Sequence, residues 1–584
     1  RAMADDLRLD VWLMGYMMPV EREFVSPEFV RLGTQLSCAE MIRGGTTLFS
    51  DMYYYEGDVA AATAAAGMRA VCGETIIKFP TPDAESYEDA LDYTRQFIGE
   101  WKDHPLIVPS VAPHAPYTCT DEILQACADL AVEFDVPLQI HILETKQEAD
   151  DAWELYEKKV VNRVADLGVF RAKSIAAHCV HVDTEQIRLL ISHGVSVAHN
   201  PTSNLKLASG IAPVKEMLER GVKLSVGTDG AASNNDLDMF EEMRLAALLV
   251  KGATHDPVVL PAKEALLMAT RWGAEALYLG DITGSLEPGK RADLIALDHA
   301  PLHNMPQFTR DPDSLYSQVV YASKAADVCH VMVNGRWLMR ERELLTLDEA
   351  AIRAQAAEYA AKMDQFLIAR EGNVLNKLVA IGGVQQEESF EIQVKAEVDG
   401  AGESMIDNLL NHPAVEMVKH NHYRQYDTYF LFADREQGRV RYREDDLIDD
   451  TGELGIVRSR LTYTGPASER EFDKAMLLSH SRFIAPADRP LRFYREYFQA
   501  ERECEIHKDR RRWHIHYKGV LFYVNLDRIM EPEIAHHYIE IKTRTWSKWD
   551  AEYKAELMSE ILNDILKITP DNRVVLEYVN LCAR

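Results

Sequence analysis

Seven short apolar, partly β-branched runs, most of them ending on a histidine, glutamate or aspartate, punctuate the chain between Gly45 and Asp229. They are Gly45-Thr-Thr-Leu-Phe-Ser-Asp51, Arg69-Ala-Val-Cys-Gly-Glu74, Leu106-Ile-Val-Pro-Ser-Val-Ala-Pro-His114, Pro137-Leu-Gln-Ile-His141, Ser174-Ile-Ala-Ala-His178, Val195-Ser-Val-Ala-His199 and Lys223-Leu-Ser-Val-Gly-Thr-Asp229. Strands buried on both faces need such runs, and helix-like sequence separates them. This alternation specifies a (β/α) barrel, an architecture that collects its chemistry at the strand ends of one face.

Eight strands close such a barrel, and one is missing. The chain begins at Arg1 without an initiator methionine, and Ala4-Asp-Asp-Leu-Arg-Leu-Asp-Val-Trp12 reads as the helix that follows a lost first strand. The expectation is an α/β fold, a (β/α)8 TIM-type barrel lacking its first strand, in a sequence that is a fragment at its N-terminus. At 584 residues the chain exceeds what one hydrophobic core organises, so two or more domains are expected. A formal net charge of -29 argues against nucleic acid or an anionic membrane as partner. No apolar stretch reaches membrane-spanning length, no signal peptide is visible, and the eight cysteines are scattered without a CxxC pair. A reduced, cytoplasmic setting is expected.

His141-Ile-Leu-Glu144 puts an imidazole at a strand end and a carboxylate just beyond it. Imidazole suits zinc or iron, and a carboxylate that is not a ligand can move protons between a metal-bound water and a substrate. Alone, the motif is explained equally well by a satisfied core histidine and an N-capping acid. His178 and Asp229 shift the balance, because an unpaired carboxylate at the end of a buried strand is expensive. Ionisable groups arriving together at one barrel face make coincidence the minor reading. His181, just past His178, is expected on the following loop as a surface residue.

The segments Pro113-His-Ala-Pro-Tyr-Thr118, His141-Ile-Leu-Glu-Thr145, Ala177-His-Cys-Val-His181, Ala198-His-Asn-Pro-Thr-Ser-Asn204 and Gly227-Thr-Asp-Gly-Ala-Ala-Ser-Asn-Asn-Asp-Leu-Asp-Met239 together resemble the amidohydrolase superfamily. Its 5-methylthioadenosine/S-adenosylhomocysteine deaminase branch is the most similar. Gly284-Ser-Leu-Glu-Pro-Gly-Lys-Arg-Ala-Asp-Leu-Ile295 and Val331-Met-Val-Asn-Gly-Arg336 are similar to the family's C-terminal strands, which form a small β-subdomain. The resemblance implies that His141 and Asp229 are metal ligands for Zn2+ or Fe2+. It makes Glu144 the proton shuttle and His178 a second group at the reacting water, so that Glu144, His178 and Asp229 carry the catalysis. His114 would contact a bound nucleoside, and Glu21, in Pro19-Val-Glu21, its ribose hydroxyls. The family's other two ligands, a His-x-His on the first strand, are expected upstream of Arg1. The implied reaction is hydrolytic deamination of methylthioadenosine, S-adenosylhomocysteine, adenosine or a related purine, with loss of ammonia.

Beyond about residue 345 the texture changes. An Ala-rich amphipathic helix from Leu347 is followed by Gly382-Gly-Val-Gln-Gln-Glu-Glu-Ser389, which reads as a linker. Charges then recur at period 2: Glu391, Gln393, Lys395 and Glu397; Arg439, Arg441 and Arg443; Arg458 and Arg460; Arg512, His514, His516 and Lys518; Glu540, Lys542 and Arg544. One such strand is an ordinary solvent-facing edge, whereas several favour an α+β antiparallel barrel with a charged lumen. Glu391-Ile-Gln-Val-Lys395, Arg439-Val-Arg-Tyr-Arg-Glu444, Leu461-Thr-Tyr-Thr-Gly-Pro466 and Tyr538-Ile-Glu-Ile-Lys542 resemble the CYTH, or triphosphate-tunnel, family. The resemblance implies that Lys395, Arg439, Arg441, Arg443, Arg458 and Arg460 grip phosphate. Gln393 and Lys542 stand where that family has carboxylates, and Thr464 where it has a lysine, so Mg2+ or Mn2+ catalysis is in doubt.

The expected organisation is a barrel over 1–280, β-subdomain strands over 281–345, helix and linker over 346–387 and a tunnel domain over 388–584. The expected partners are a nucleoside substrate, a triphosphate in the C-terminal domain and a second copy of the chain in a homo-oligomer, with no nucleic acid and no membrane. Two other functions stay open: chlorohydrolase or amidase chemistry on a triazine-like heterocycle, and a non-enzymatic nucleotide or polyphosphate sensor.

Overall fold

All seven predicted runs form strands, and all seven belong to one parallel sheet. They are β1 (Leu48–Tyr53), β2 (Arg69–Ile76), β3 (Ile107–Pro113), β4 (Pro137–Ile142), β5 (Lys173–His178), β6 (Ser196–His199) and β7 (Lys223–Val226). The sheet order follows the chain order from β1 to β7. Parallel neighbours joined by crossovers bring every carboxyl end to the same side, where the polar residues lie. Every residue of β2 is buried, as its continuous apolar character requires.

The crossover helices start where the sequence provides caps. Ser86, Thr120 and Thr145 each accept the N3 backbone N–H of the helix they open, and Asp183 with Gln186 forms a capping box. Their apolar faces (Ile123, Leu124, Val164, Ile187, Leu190) pack with Leu138, Ile140, Val197 and Leu224 of the strands in one core. Each such side chain contributes about 1.5–3 kcal/mol when fully buried. Gly67 ends the helix Glu56–Ala66 at φ 87°, and a Cβ there would lie 2.6 Å from Leu338. Both the left-handed turn and the close approach demand glycine.

The computed structural model of the chain describes residues 1–308, 310–382, 390–398, 400, 402–449, 451–465, 470–471, 477–479, 482–545, 548–574 and 577–583. Contacts divide the chain into two compact units, Arg1–Met363 and Asp364–Arg584. The division falls within the helix Glu349–Glu371. Of Gly382–Ser389, expected as a linker, Gly382 ends the helix Val374–Gly382 and residues 383–389 lie outside the described residues, as does Pro466.

The segment Ala4–Trp12, read as a helix, is helical only from Leu9, and helical turns continue to Phe24. Asp5 is instead drawn into an ion pair with Lys206 at 2.7 Å. After the parallel sheet come β8 (Leu294–Leu297), β9 (Val328–Val333), β10 (Arg336–Arg340) and β11 (Glu343–Leu344), a separate four-stranded antiparallel sheet.

The second unit is built on an antiparallel sheet. Its strands are β12 (Phe390–Val398), β13 (Val415–Leu431), β14 (Arg439–Ile448), β15 (Leu454–Thr464), β16 (Arg470–Glu471), β17 (Leu477–Ser479), β18 (Arg482–Pro486), β19 (Arg502–Tyr517), β20 (Val520–Glu531), β21 (His537–Thr545) and β22 (Arg573–Val574). The order is β16-β17-β12-β21-β20-β19-β13-β14-β15-β18, with β22 beside β12. Among the described residues these pairings do not close the sheet into the expected tunnel. The period-2 reading of its faces holds: Ile392, Val394, Ala396, Phe522, Val524, Ile539 and Ile541 share one apolar cluster. The alternate residues Gln393, Lys395, Asn525, Asp527 and Glu540 are buried polar groups on the opposite face.

Candidate active site

His141, His178 and Asp229 offer ligand atoms that all lie within 4.8 Å of one another. His141 and His178 are at the ends of β4 and β5, and Asp229 lies just past β7. Two imidazole nitrogens and a carboxylate oxygen, with His178 buried and His141 and Asp229 half-buried, are a donor set that fits a zinc-class ion. Each donor is oriented from behind. His141 Nδ1 donates to the His114 carbonyl at 2.6 Å, which turns Nε2 toward the shared point. His178 Nδ1 meets Asn204 Oδ1 at 2.8 Å, and Asp229 Oδ2 accepts from Ser203 Oγ at 2.7 Å. Hydrogen bonds of this kind fix the ring orientation and basicity of metal ligands.

The backbone is bent to make this geometry. His178 (φ 72°), Cys179 (φ 49°) and Asp229 (φ 62°) are left-handed although none is glycine, a cost of order 1–3 kcal/mol each. Gly227 approaches so closely that a Cβ would lie 2.8 Å from Asn200 Oδ1.

Glu144 is buried beside the donors, its Oε2 3.8 Å from His178 Nε2, and Asp229 Oδ2 is 3.9 Å from the same nitrogen. Burial alone would push the His178 imidazole down, but these two carboxylates outweigh it and hold it above its ordinary value. Burial likewise opposes ionisation of Asp229, yet His178 and His141 keep its carboxyl below the usual range. His114, 4.8 Å from His141 between ring centroids, is pushed down to about 3 by burial and by the His141 ring, so it stays neutral. Its Nδ1 lies 3.0 Å from Thr118 Oγ1. Glu21 accepts from Tyr53 Oη at 2.9 Å at the carboxyl end of β1, and burial raises its carboxyl.

One expectation is corrected. His181 is not a surface residue, because it is half-buried and its Nε2 donates to the Ser209 carbonyl at 2.7 Å. The turn after β5 folds back on β4, where Val180 and His181 both donate to the Leu143 carbonyl.

Four residues that the sequence reading passed over prove to hold the site. Ser203, Asn204 and Ser209 come from one segment, and Glu148 accepts the Glu144 backbone N–H at 3.2 Å. Burial drives Glu148 up to about 8. Ser203 and Asn204 belong to the motif Ala198–Asn204, whose polar residues beside a strand end were the available signal.

In the second unit the six basic residues lie as follows. Lys395 is buried 3.2 Å from Glu540, and Arg443 forks onto Asp427 at 2.5 and 2.7 Å. Arg439 pairs with Glu577, and Arg460 with Asp445 at 3.1 Å. Arg441 reaches Thr462 at 3.2 Å, and Arg458 is exposed opposite Asp445 in the strand register. Lys542 joins Glu391 and Glu540. The face is thus charged in both senses, not uniformly basic. Crowding still leaves a cationic spot: burial and neighbouring arginines pull Arg460 and Arg512 down to about 10, and Nε of Arg441 and of Arg460 is buried without a hydrogen-bond partner.

Comparison with known proteins bears on the first unit. A family model described as "Amidohydrolase family" matches residues 2–338. The 5-methylthioadenosine/S-adenosylhomocysteine deaminase of Syntrophobacter fumaroxidans is 45% identical over 348 residues, 60% of this chain and 78% of that protein. The crystal structure of an adenosine deaminase from Xanthomonas campestris with bound zinc is similar at TM-score 0.60 and 40% identity, covering 62% of this chain and 82% of that one. Atrazine chlorohydrolase from Arthrobacter aurescens, complexed with zinc, shares the fold at TM-score 0.56 and 23% identity, over 61% and 84% of the two chains.

Proposed function

The chain belongs to the amidohydrolase family and is a hydrolytic deaminase, and from that premise we propose that it deaminates an adenine nucleoside, with methylthioadenosine, S-adenosylhomocysteine and adenosine as the substrate class. The observation that carries this reading is the convergence of His141, His178 and Asp229 beside the buried carboxylate of Glu144. His141 and Asp229 would hold a zinc-class ion, with His178 in reach of the same point. When bound, the ion supplies Lewis acidity that makes water nucleophilic near neutral pH.

The chain's own groups divide the remaining work. Glu144 accepts a proton from the attacking water and delivers one to the purine ring nitrogen, as general acid/base groups do. His178, held at Nδ1 by Asn204, orients the water through Nε2. Neutral His114 offers a hydrogen bond to the nucleoside without adding charge, and Glu21 receives the ribose hydroxyls in place of Tyr53. A scaffold without chemistry has no need of ionisable groups gathered at the cost of left-handed backbone. Triazine hydrolases share the fold at an identity that says nothing of substrate.

The test is an ammonia-release screen of the purified intact protein, zinc-loaded, against methylthioadenosine, S-adenosylhomocysteine, adenosine, guanine and atrazine. Turnover of an adenine nucleoside is expected. Activity confined to atrazine or guanine would refute the assignment.

For the second unit we propose a CYTH-like binding site for a triphosphate-bearing ligand that has lost metal-dependent turnover. The crowded guanidinium groups of Arg441, Arg460 and Arg512 support binding, because forked donors suit phosphate oxygens. Lys542 already occupies Glu391 and Glu540, which counts against a catalytic Mg2+ or Mn2+.

A further inference from the structure

We propose that Ser209 is a positioning residue for the deamination, fixing which oxygen of Glu144 carries the proton, and that His181 holds Ser209 in place. This inference rests on the deaminase reading above and extends it to a residue outside the ligand and acid/base set. Ser209 Oγ donates to Glu144 Oε1 at 3.3 Å, and both side chains are buried. The other oxygen, Oε2, is the one that faces His178 Nε2. A carboxylate with one oxygen tethered cannot exchange its two oxygens without breaking that bond, so Oε2 stays turned to the reacting centre. The separation exceeds the roughly 2.7–2.8 Å of a settled O–H···O bond, and such contacts tighten as the reacting complex forms.

Ser209 is itself held on two sides. Its N–H donates to the Asn204 carbonyl at 2.8 Å, and its carbonyl accepts from His181 Nε2 at 2.7 Å. Gly210, at φ 126°, lets the loop pass against His181, where a Cβ would meet Val180 at 3.1 Å and the imidazole at 3.6 Å. His181 is anchored in turn by its N–H to the Leu143 carbonyl, one residue before Glu144. The imidazole therefore ties the loop bearing the hydroxyl to the strand end bearing the carboxylate. A purely structural serine would have no reason to spend its hydroxyl on the proton shuttle.

The experiment compares Ser209→Ala, Ser209→Thr, His181→Ala and the double variant Ser209→Ala/His181→Ala in the intact protein. Steady-state deamination of methylthioadenosine and zinc content are measured for each. Ser209→Ala is expected to lower kcat about 10- to 100-fold, with KM within about 3-fold and zinc unchanged. Ser209→Thr should recover most of the loss. His181→Ala should lower kcat less, and the double variant should be no worse than Ser209→Ala, because both act through one bond. In parallel, the infrared carboxylate band assigned to Glu144 by its loss in Glu144→Gln should shift in Ser209→Ala and not in Ser209→Thr. Wild-type kcat in Ser209→Ala, strictly additive losses in the double variant, or an unmoved Glu144 band would each overturn the proposal. A wild-type protein that releases no ammonia defeats the deaminase reading instead, and the infrared comparison still decides the contact.

Discussion

At the scale of single residues, the site separates groups that differ little in chemistry by what surrounds them. Glu144 and Glu148 are two buried carboxylates four residues apart. Glu144 presents an oxygen to His178, whereas Glu148 turns one to a backbone N–H and is driven up to about 8 by burial. This contrast supports Glu144, and not Glu148, as the proposed acid/base group. Glu144→Gln is expected to leave zinc content intact and to lower turnover by roughly two or more orders of magnitude. Deamination rates with metal analysis on the same samples check this, and near wild-type turnover would remove Glu144 from the mechanism.

At the scale of elements, the second unit shows what a sheet must do with charge it buries. Asp427 on β13 accepts both Arg443 from β14 and Lys508 from β19, the latter at 2.7 Å, and all three are buried. Burial opposes the Asp427 carboxylate, but the facing cations hold it well below the usual range. Asp427→Asn strands the buried Arg443 guanidinium and takes the acceptor from Lys508, whose amine burial and Arg443 already hold well below its ordinary value, and is expected to destabilise the unit by about 3–5 kcal/mol. A folded pKa depressed below the unfolded value of about 3.9 gives stability that is complete above that pH and is lost as pH falls through the folded value. Denaturant titration should thus find the variant's deficit present near neutral pH and shrinking in strong acid, as the Asp427 carboxylate of the parent protein is protonated. A deficit that grows toward alkaline pH would contradict the pairing.

At the scale of the whole molecule, the chain divides into two compact units, and the site proposed for each is testable without disturbing the other. Chelation followed by zinc is expected to abolish and then restore ammonia release while leaving the second unit's ligand binding unchanged. Calorimetry of the intact protein with inorganic triphosphate and ATP should show binding without phosphate release in Mg2+ or Mn2+. Brisk metal-dependent phosphate release would show that the lost-catalysis reading is wrong. Absence of binding would mean that the acidic partners of Lys395, Arg439, Arg443 and Arg460 neutralise the face completely.

By itself the sequence determined the strand set, the strand ends that bear chemistry and the two-faced character of the second sheet. Those properties depend on hydrophobic period and on the cost of burying an unpaired charge, which are local. His141, His178 and Asp229 were legible for that reason. Tertiary structure alone decided which groups meet. Ser209 reaches Glu144 across 65 positions, and Lys508 reaches Asp427 across 81. His181, a surface residue by spacing, is turned inward because the β5 turn hydrogen-bonds to the end of β4. Of the arginines that period 2 aligned on one face, Arg443 met Asp427 and Arg460 met Asp445 on adjacent strands, because strand order and register, and not periodicity, choose the partner across the ladder.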